Sequence, residues 1–273
     1  MTTTTGSSDG GQRIAKWIAR AGICSRREAE RLIAQGRVDV DGAAPDGPGV
    51  VVDDPTRIAV DGERLAPPEP TRLFRYHKPT GRIVAERDPE DRPTIYADLP
   101  GDLPRVMPVG RLDVASEGLL LLTNDGELKR SLELPATGWI RRYRARVYGD
   151  VDEAALAKLA NGVTIDGVQY GGIKASLDNR SGANAWLSIS LREGKNREVR
   201  RVLAHLGLRV NRLIRVAYGP FQLGSLKPGR VAEVPPKVMA EQLGLPMPAD
   251  AHIGKAKPKR EPTKPNAHRR RRA

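Results

Sequence analysis

Residues 110–126 read Gly-Arg-Leu-Asp-Val-Ala-Ser-Glu-Gly-Leu-Leu-Leu-Leu-Thr-Asn-Asp-Gly. A polar loop holding Asp113 leads past Gly118 into Leu119–Thr123, an apolar run of the kind that lies inside a sheet. Asn124-Asp125-Gly126 then turns the chain into Glu127-Leu-Lys-Arg-Ser-Leu, which begins like a helix. A loop held at both ends by core structure can position its side chains accurately. Asp113 can therefore serve as a loop cap, as an ion-pair partner, or as a reactive group.

Outward from this stretch, apolar runs separated by Gly, Pro and Asp recur at Leu73-Phe-Arg-Tyr, Val106-Met-Pro-Val, Tyr143 to Gly149 and Trp186 to Leu191. Helical patterns interrupt them at Gly126 to Glu133, Asp152 to Leu159 and Asn196 to Leu206, which predicts an α+β domain over 72–245 with a mainly antiparallel sheet and flanking helices. Upstream, Leu65-Ala-Pro-Pro-Glu-Pro-Thr breaks both periodicities and reads as an extended linker over 65–71. Residues 13–64 form a smaller module. Ile14, Trp17, Ile18 and Ala21 share one helical face that stops at Gly22. Ser25-Arg-Arg-Glu opens a second helix as a capping box, with Ala29, Leu32 and Ile33 as its apolar stripe. Two short strands then end in Asp41-Gly42 and Asp61-Gly62 turns.

The charge is unevenly placed. Of the net +13, residues 255–273 carry +8 and residues 13–37 carry +5, so the body between them is nearly neutral. That layout suits a polyanion gripped by appendages while the body acts on it locally. The Thr/Ser/Gly run 1–12 and the Lys/Arg/Pro tail 246–273 lack periodicity and are expected to be disordered. The single Cys24 cannot pair within the chain, and no stretch approaches 18 apolar residues or resembles a secretory leader, so the expected compartment is the cytoplasm. His77, His205, His252 and His268 show no metal-ligand spacing, and no metal or other cofactor is expected. Lys195 follows a glycine, but the full phosphate-loop pattern is absent; Asp125 before Gly126 is explained by turn chemistry.

Two resemblances sharpen this reading. The segment from about Arg13 to Asp61, in Ser25-Arg-Arg-Glu-Ala-Glu-Arg-Leu-Ile and Gly36-Arg-Val-Asp-Val-Asp-Gly, resembles an S4 RNA-binding domain. This implies docking on structured RNA, for which Arg13, Lys16, Arg20, Arg26, Arg27, Arg31 and Arg37 are the candidate contacts. Residues 110–126 are similar to the signature of the RsuA/RluB branch of pseudouridine synthases. His77-Lys-Pro-Thr-Gly, Tyr143 within Arg-Arg-Tyr-Arg-Ala-Arg-Val, and Glu193-Gly-Lys-Asn-Arg-Glu-Val-Arg-Arg match further segments in the same order.

The resemblance implies a cofactor-independent isomerase in which Asp113 is the catalytic residue, Tyr143 stacks on the uracil, and Arg200 pairs with Asp113. Helical geometry is compatible with the last of these: at about 100° per residue from Val199, Arg200 lies on the border of the stripe formed by Val199, Val202, Leu203 and Leu206, whereas Arg197 and Arg201 point toward solvent or phosphate. Arg111, Lys195, Asn196 and Arg197 are the expected substrate contacts. The expected substrate is ribosomal RNA, 23S in preference to 16S because Asn-Arg-Glu resembles large-subunit members more than the His-Gln of small-subunit ones, and the expected state is a monomer with no membrane partner. The alternative from another class is a non-catalytic S4-type assembly factor.

Overall fold

The computed structural model describes residues 11–134 and 138–244. The basic run 255–273 and most of the N-terminal stretch expected to be disordered lie outside these residues. The first compact unit ends at Val234 and contains both the small module and the body.

The module begins with β1 (Gln12–Arg13), α1 (Ile14–Arg20) and α2 (Arg26–Ala34), followed by β2 (Val38–Val40), β3 (Val51–Val52), β4 (Ile58–Val60) and β5 (Glu63–Arg64). Strand β1 pairs with β3, so ordered chain starts before Arg13, ahead of the boundary expected from helix periodicity alone. Ile14, Trp17 and Ile18 of α1 are buried with Ala29, Leu32 and Ile33 of α2, and Trp17 Nε1 donates to the Val52 carbonyl at 2.8 Å. Ser25 caps α2 by accepting from the Glu28 amide at 3.2 Å, while the Glu28 carboxylate accepts from Arg31 at 2.8 Å. Asp41 and Asp61 both adopt φ 53°, each followed by a glycine at φ 83°, the left-handed pair that reverses a two-residue hairpin.

The body continues with β6 (Leu73–Lys78), β7 (Met107–Val109), β8 (Glu117–Thr123), α3 (Gly126–Glu133), β9 (Arg141–Tyr148), α4 (Glu153–Lys158), β10 (Val163–Ile165) and β11 (Val168–Tyr170). It closes with β12 (Lys174–Ser181), β13 (Asn184–Leu191), α5 (Glu198–His205), β14 (Arg209–Tyr218), β15 (Phe221–Gln222) and β16 (Val231–Glu233). Its sheet runs β12-β13-β9-β14-β8-β6-β16, with β7 and β15 pairing off this path. All pairings are antiparallel except β14 with β8, where Ile214 lies opposite Glu117 and Arg215 opposite Gly118. Gly118 is required there. At φ 107° its missing Cβ would lie 2.3 Å from the Arg215 carbonyl oxygen.

Sheet alternation divides β9 cleanly: Ala145 and Val147 are buried in the core with α5, and Arg142, Arg144 and Arg146 are exposed on the reverse face. Strand β14 is central yet was not among the expected strands. Its four arginine and asparagine residues hide the period-2 pattern of Leu213, Arg215 and Ala217, which are buried.

The proline-rich 65–71 segment is extended and fastened at several points. Leu65 is buried in the module core, the Pro70 carbonyl accepts from Asn124 Nδ2 at 3.0 Å, and Thr71 Oγ1 donates to Asp125 at 2.6 Å. Two cations expected to face RNA are used in this seam. Lys16 pairs with Glu127, and Arg20 reaches Asp125 at 3.3 Å and donates to the Glu69 carbonyl at 2.9 Å and to that of Asn124 at 3.3 Å. Asp125 in turn caps α3 through the Glu127 and Leu128 amides. The negative first turn of α3 attracts these side chains, which is why they turn to protein. Arg37 pairs with Asp61 in the open at 2.6 Å. Arg13, Arg26 and Arg27 remain exposed and without a side-chain partner among the described residues.

The second unit starts at Pro235 and is represented by α6 (Pro236–Leu243), which ends on Gly244 at φ 63°. This second unit begins inside the span 72–245 expected for the domain. Among the described residues no helix is long and apolar enough to cross a membrane.

Removing the seam arginine tests this arrangement. Arg20 and Asp125 are largely buried, at 18% and 16% side-chain exposure, so Arg20→Ala should lower unfolding stability by about 2 kcal/mol in urea titration. An unchanged midpoint would mean that the module is not held to the body through Arg20.

Candidate active site

The Asp113 loop joins β7 to β8 and is held by its backbone. Lys78, at the end of β6, is wholly buried, and its ammonium donates to the carbonyls of Pro79 at 3.0 Å, Asp113 at 3.1 Å, Val114 at 3.5 Å and Ser116 at 2.9 Å. Burial pushes that ammonium down to about 8, and the Asp113 and Glu117 carboxylates oppose the shift. Arg200 of α5 donates to the Ala115 carbonyl at 2.8 Å and to Val210 at 3.1 Å. Arg215 of β14 donates to the Leu119 carbonyl at 2.7 Å and weakly to Arg111 at 3.4 Å. Three cations from three elements therefore grip successive carbonyls of one loop. The Asp113 carboxylate is left free, 32% exposed, at the rim of a pocket.

That pocket has a volume of about 950 Å³, ample for one nucleotide. Tyr143 lines it from β9 and packs against two apolar clusters at once, which fixes the ring. Arg111, Lys195, Asn196 and Arg197 also line it. Arg200 does not stand among the lining residues. The expected Arg200–Asp113 pair is replaced by a different geometry: Arg200 holds the loop backbone, and the cation nearest the Asp113 carboxylate is Arg197, at 3.9 Å. Helical phase misplaced Arg197 because it precedes the first turn of α5. Its left-handed backbone, φ 52° and ψ 28°, redirects it from the helical position assumed for it. Arg200's proton affinity is lowered, by burial first and by neighbouring Arg197 second, with Asp113 opposing.

Lys78 and Arg215 are not singled out by the sequence, because β6 also carries Arg75 and His77 and β14 also carries Arg209, Asn211 and Arg212, so nothing local marks which cation is buried. A second pair also escaped notice. Glu198, 3% exposed at the start of α5, lies in hydrogen-bonding contact with Glu193 and accepts from the Lys195 amide at 2.9 Å. Its other oxygen, Oε1, is buried without a donor. Burial and the adjacent Glu193 raise the Glu198 carboxyl to about 7, while Glu193 is held low against its own burial by Lys195 and by the Gly171 amide at 2.5 Å. Glu198 thus keeps its proton to higher pH than an ordinary carboxyl, and its bond to the Lys195 amide helps set the 193–198 turn that carries Lys195, Asn196 and Arg197.

Comparison with known proteins places this geometry. Residues 72–205 match the RNA pseudouridylate synthase family, and residues 12–44 match the S4 domain. An uncharacterized RNA pseudouridine synthase of Rickettsia felis is 45% identical over 228 residues, 84% of this chain and 99% of that protein. A ribosomal large subunit pseudouridine synthase B of Yersinia pestis is 42% identical over 221 residues, 78% of this chain and 69% of that protein. A crystal structure of a pseudouridylate synthase superposes with a TM-score of 0.59 at 28% identity, covering 85% of this chain and 99% of the other.

Two substitutions probe the supports of the site. Lys78→Met should speed amide hydrogen exchange across residues 111–116 by at least tenfold while the β9 and β13 amides stay protected; uniform protection would rule out the ammonium as the loop's anchor. Because the folded Glu198 value lies above the ordinary 4.5, its share of stability is full below about 4.5 and is lost as pH rises through about 7. Glu198→Gln should therefore flatten the fall in urea midpoint across that window. The same slope in both proteins would show that Glu198 does not carry the proton.

Proposed function

This chain belongs to the family of RNA pseudouridine synthases, and from that premise we propose that it converts a uridine of ribosomal RNA, in the large-subunit 23S molecule, to pseudouridine with Asp113 as the catalytic carboxylate. One observation carries the assignment of Asp113. Three carboxylates line the pocket, and two are engaged: Glu133 accepts from the Gly110 amide at 2.6 Å and from Lys129, and Glu198 is tied to the 193–198 turn. Only Asp113 has both oxygens free of hydrogen-bond donors among the described residues, with its own backbone held behind it.

The reaction needs such a group. Isomerisation breaks the N1–C1′ bond, turns the uracil over and joins C5 to the same sugar carbon. The proton lost from C5 balances the one gained at N1, and no electrons or groups leave. A fixed carboxylate beside the sugar and base can act as nucleophile or base while the uracil is detached. Tyr143 offers the flat partner that an extruded base requires. Arg197, 3.9 Å from the Asp113 carboxylate, stands where a phosphate of the flipped nucleotide can be bound. Arg111, Lys195 and Asn196 line the approach, and Arg200 acts through the loop.

The large-subunit choice is supported by Asn196-Arg-Glu198, whose Arg197 and Glu198 have distinct geometric roles here, and by the name of the Yersinia pestis relative. The protein acts as a monomer in the cytoplasm, with Arg13, Arg26 and Arg27 of the S4 module as its free cations toward rRNA.

Incubation with 23S rRNA lacking pseudouridine, followed by carbodiimide-directed primer extension, tests the reading. Wild type should produce one stop at a defined uridine. Asp113→Asn should produce none, a loss of at least 10⁴-fold on the scale of a removed essential group, while binding RNA with unchanged affinity. Modification by Asp113→Asn would refute its role, and stops only in 16S rRNA would move the substrate to the small subunit.

A further inference from the structure

The pocket uses one face of the β12-β13-β9-β14 sheet; the reverse face is basic, and its β9 arginines are exposed. Register builds it row by row. Lys174, Ser190 and Arg142 form one row across β12, β13 and β9, and Ser176, Ser188 and Arg144 form the next. Asn179, Trp186, Arg146 and Arg212 make a third, and Asn184, Tyr148 and Arg209 a fourth. Cations thus recur at every second residue of β9, about 7 Å apart, with hydroxyl and amide side chains between them.

Six cations face two carboxylates on this surface, Asp178 and Glu117. Arg144 reaches Asp178 at 3.4 Å, and Arg212 pairs with Glu117. Arg142, Arg146 and Lys174 have no ion pair or side-chain hydrogen bond among the described residues. Like charges side by side on one sheet face are destabilising in isolation. A polyanion reverses the sign of that interaction.

The aromatic rings decide which polyanion fits. Arg144 stacks on Trp186 at 4.8 Å and Arg209 on Tyr148 at 5.0 Å, so on one face of each ring the partner already in place is a guanidinium group rather than a base. The stacked arginines are instead held flat and preorganised to donate to phosphate oxygens. We infer that this reverse face of the sheet is a second RNA-binding surface, which holds the phosphate backbone of a double-helical segment distant from the uridine that enters the pocket. This deepens the RNA-modifying reading and rests on it, and it requires neither a particular ribosomal subunit nor the catalytic role of Asp113. Recognition there is by backbone and shape.

The pair Arg142 and Arg146 can be removed without breaking an ion pair or a side-chain hydrogen bond among the described residues. The double variant R142S/R146S should bind a long structured 23S rRNA fragment about tenfold more weakly near 150 mM salt, with the slope of log K against log salt reduced by roughly 2. A short stem-loop carrying only the target uridine should bind and turn over as with wild type. K158S/K227S, which removes the same net charge from elsewhere, should leave the slope on the long RNA unchanged. An unaltered slope in R142S/R146S would overturn the inference. So would equal losses on the long and short RNAs, or a loss matched by K158S/K227S, because each would assign the effect to the pocket's grip or to overall charge.

Discussion

The buried Lys78 ammonium is the interaction on which the site depends. A charge this deeply enclosed is tolerated only with oxygen partners on several sides, and the partners it finds are carbonyls of the loop that bears Asp113. The demand runs both ways. The loop's carbonyls in turn find their donors in Lys78, Arg200 and Arg215, from β6, α5 and β14. None of these bonds uses the Asp113 side chain. The protein thereby fixes the position of a carboxylate without neutralising it, and the nearest cation, Arg197, stays at 3.9 Å, outside a direct hydrogen bond.

Around this loop the sheet separates two tasks by alternation. Tyr143, Ala145 and Val147 of β9 look toward the pocket and the core under α5, while Arg142, Arg144 and Arg146 look the other way. Because β9 is central and paired on both sides over its whole length, neither set can change face without a register shift. The Glu193–Glu198 pair performs a related service at the helix entry: Glu198 accepts from the Lys195 amide and Glu193 from that of Gly171, and together they shape the turn that presents Arg197. Charge is also spent internally at the seam, where Lys16 and Arg20 satisfy the acidic start of α3 and bring the S4 module against the body.

Local readings made from residue types held well. Ser25 caps α2, the Asp41-Gly42 and Asp61-Gly62 turns adopt left-handed pairs, and Leu119–Leu122 lie fully inside the sheet. These features depend on neighbours within a few positions, so the sequence contains everything required to read them. The readings that changed concern cations. Lys16 and Arg20 turned to protein, Arg200 turned to a backbone carbonyl, and Arg197 turned toward Asp113, because a long flexible side chain goes to the nearest unsatisfied oxygen, whose location is tertiary.

By itself the sequence determined the α+β class, the order of module and body, the loop that carries Asp113, and the chain's kinship with RNA pseudouridine synthases, since each rests on short-range pattern and residue identity. Only the tertiary structure decided that Lys78 and Arg215 are anchors, that Asp113 alone among the pocket carboxylates is free, and that β9 presents an exposed basic face behind the site. These depend on which polar groups meet after strands distant in sequence come together. The free energy of a buried charge is set by those partners and carries no short-range signature.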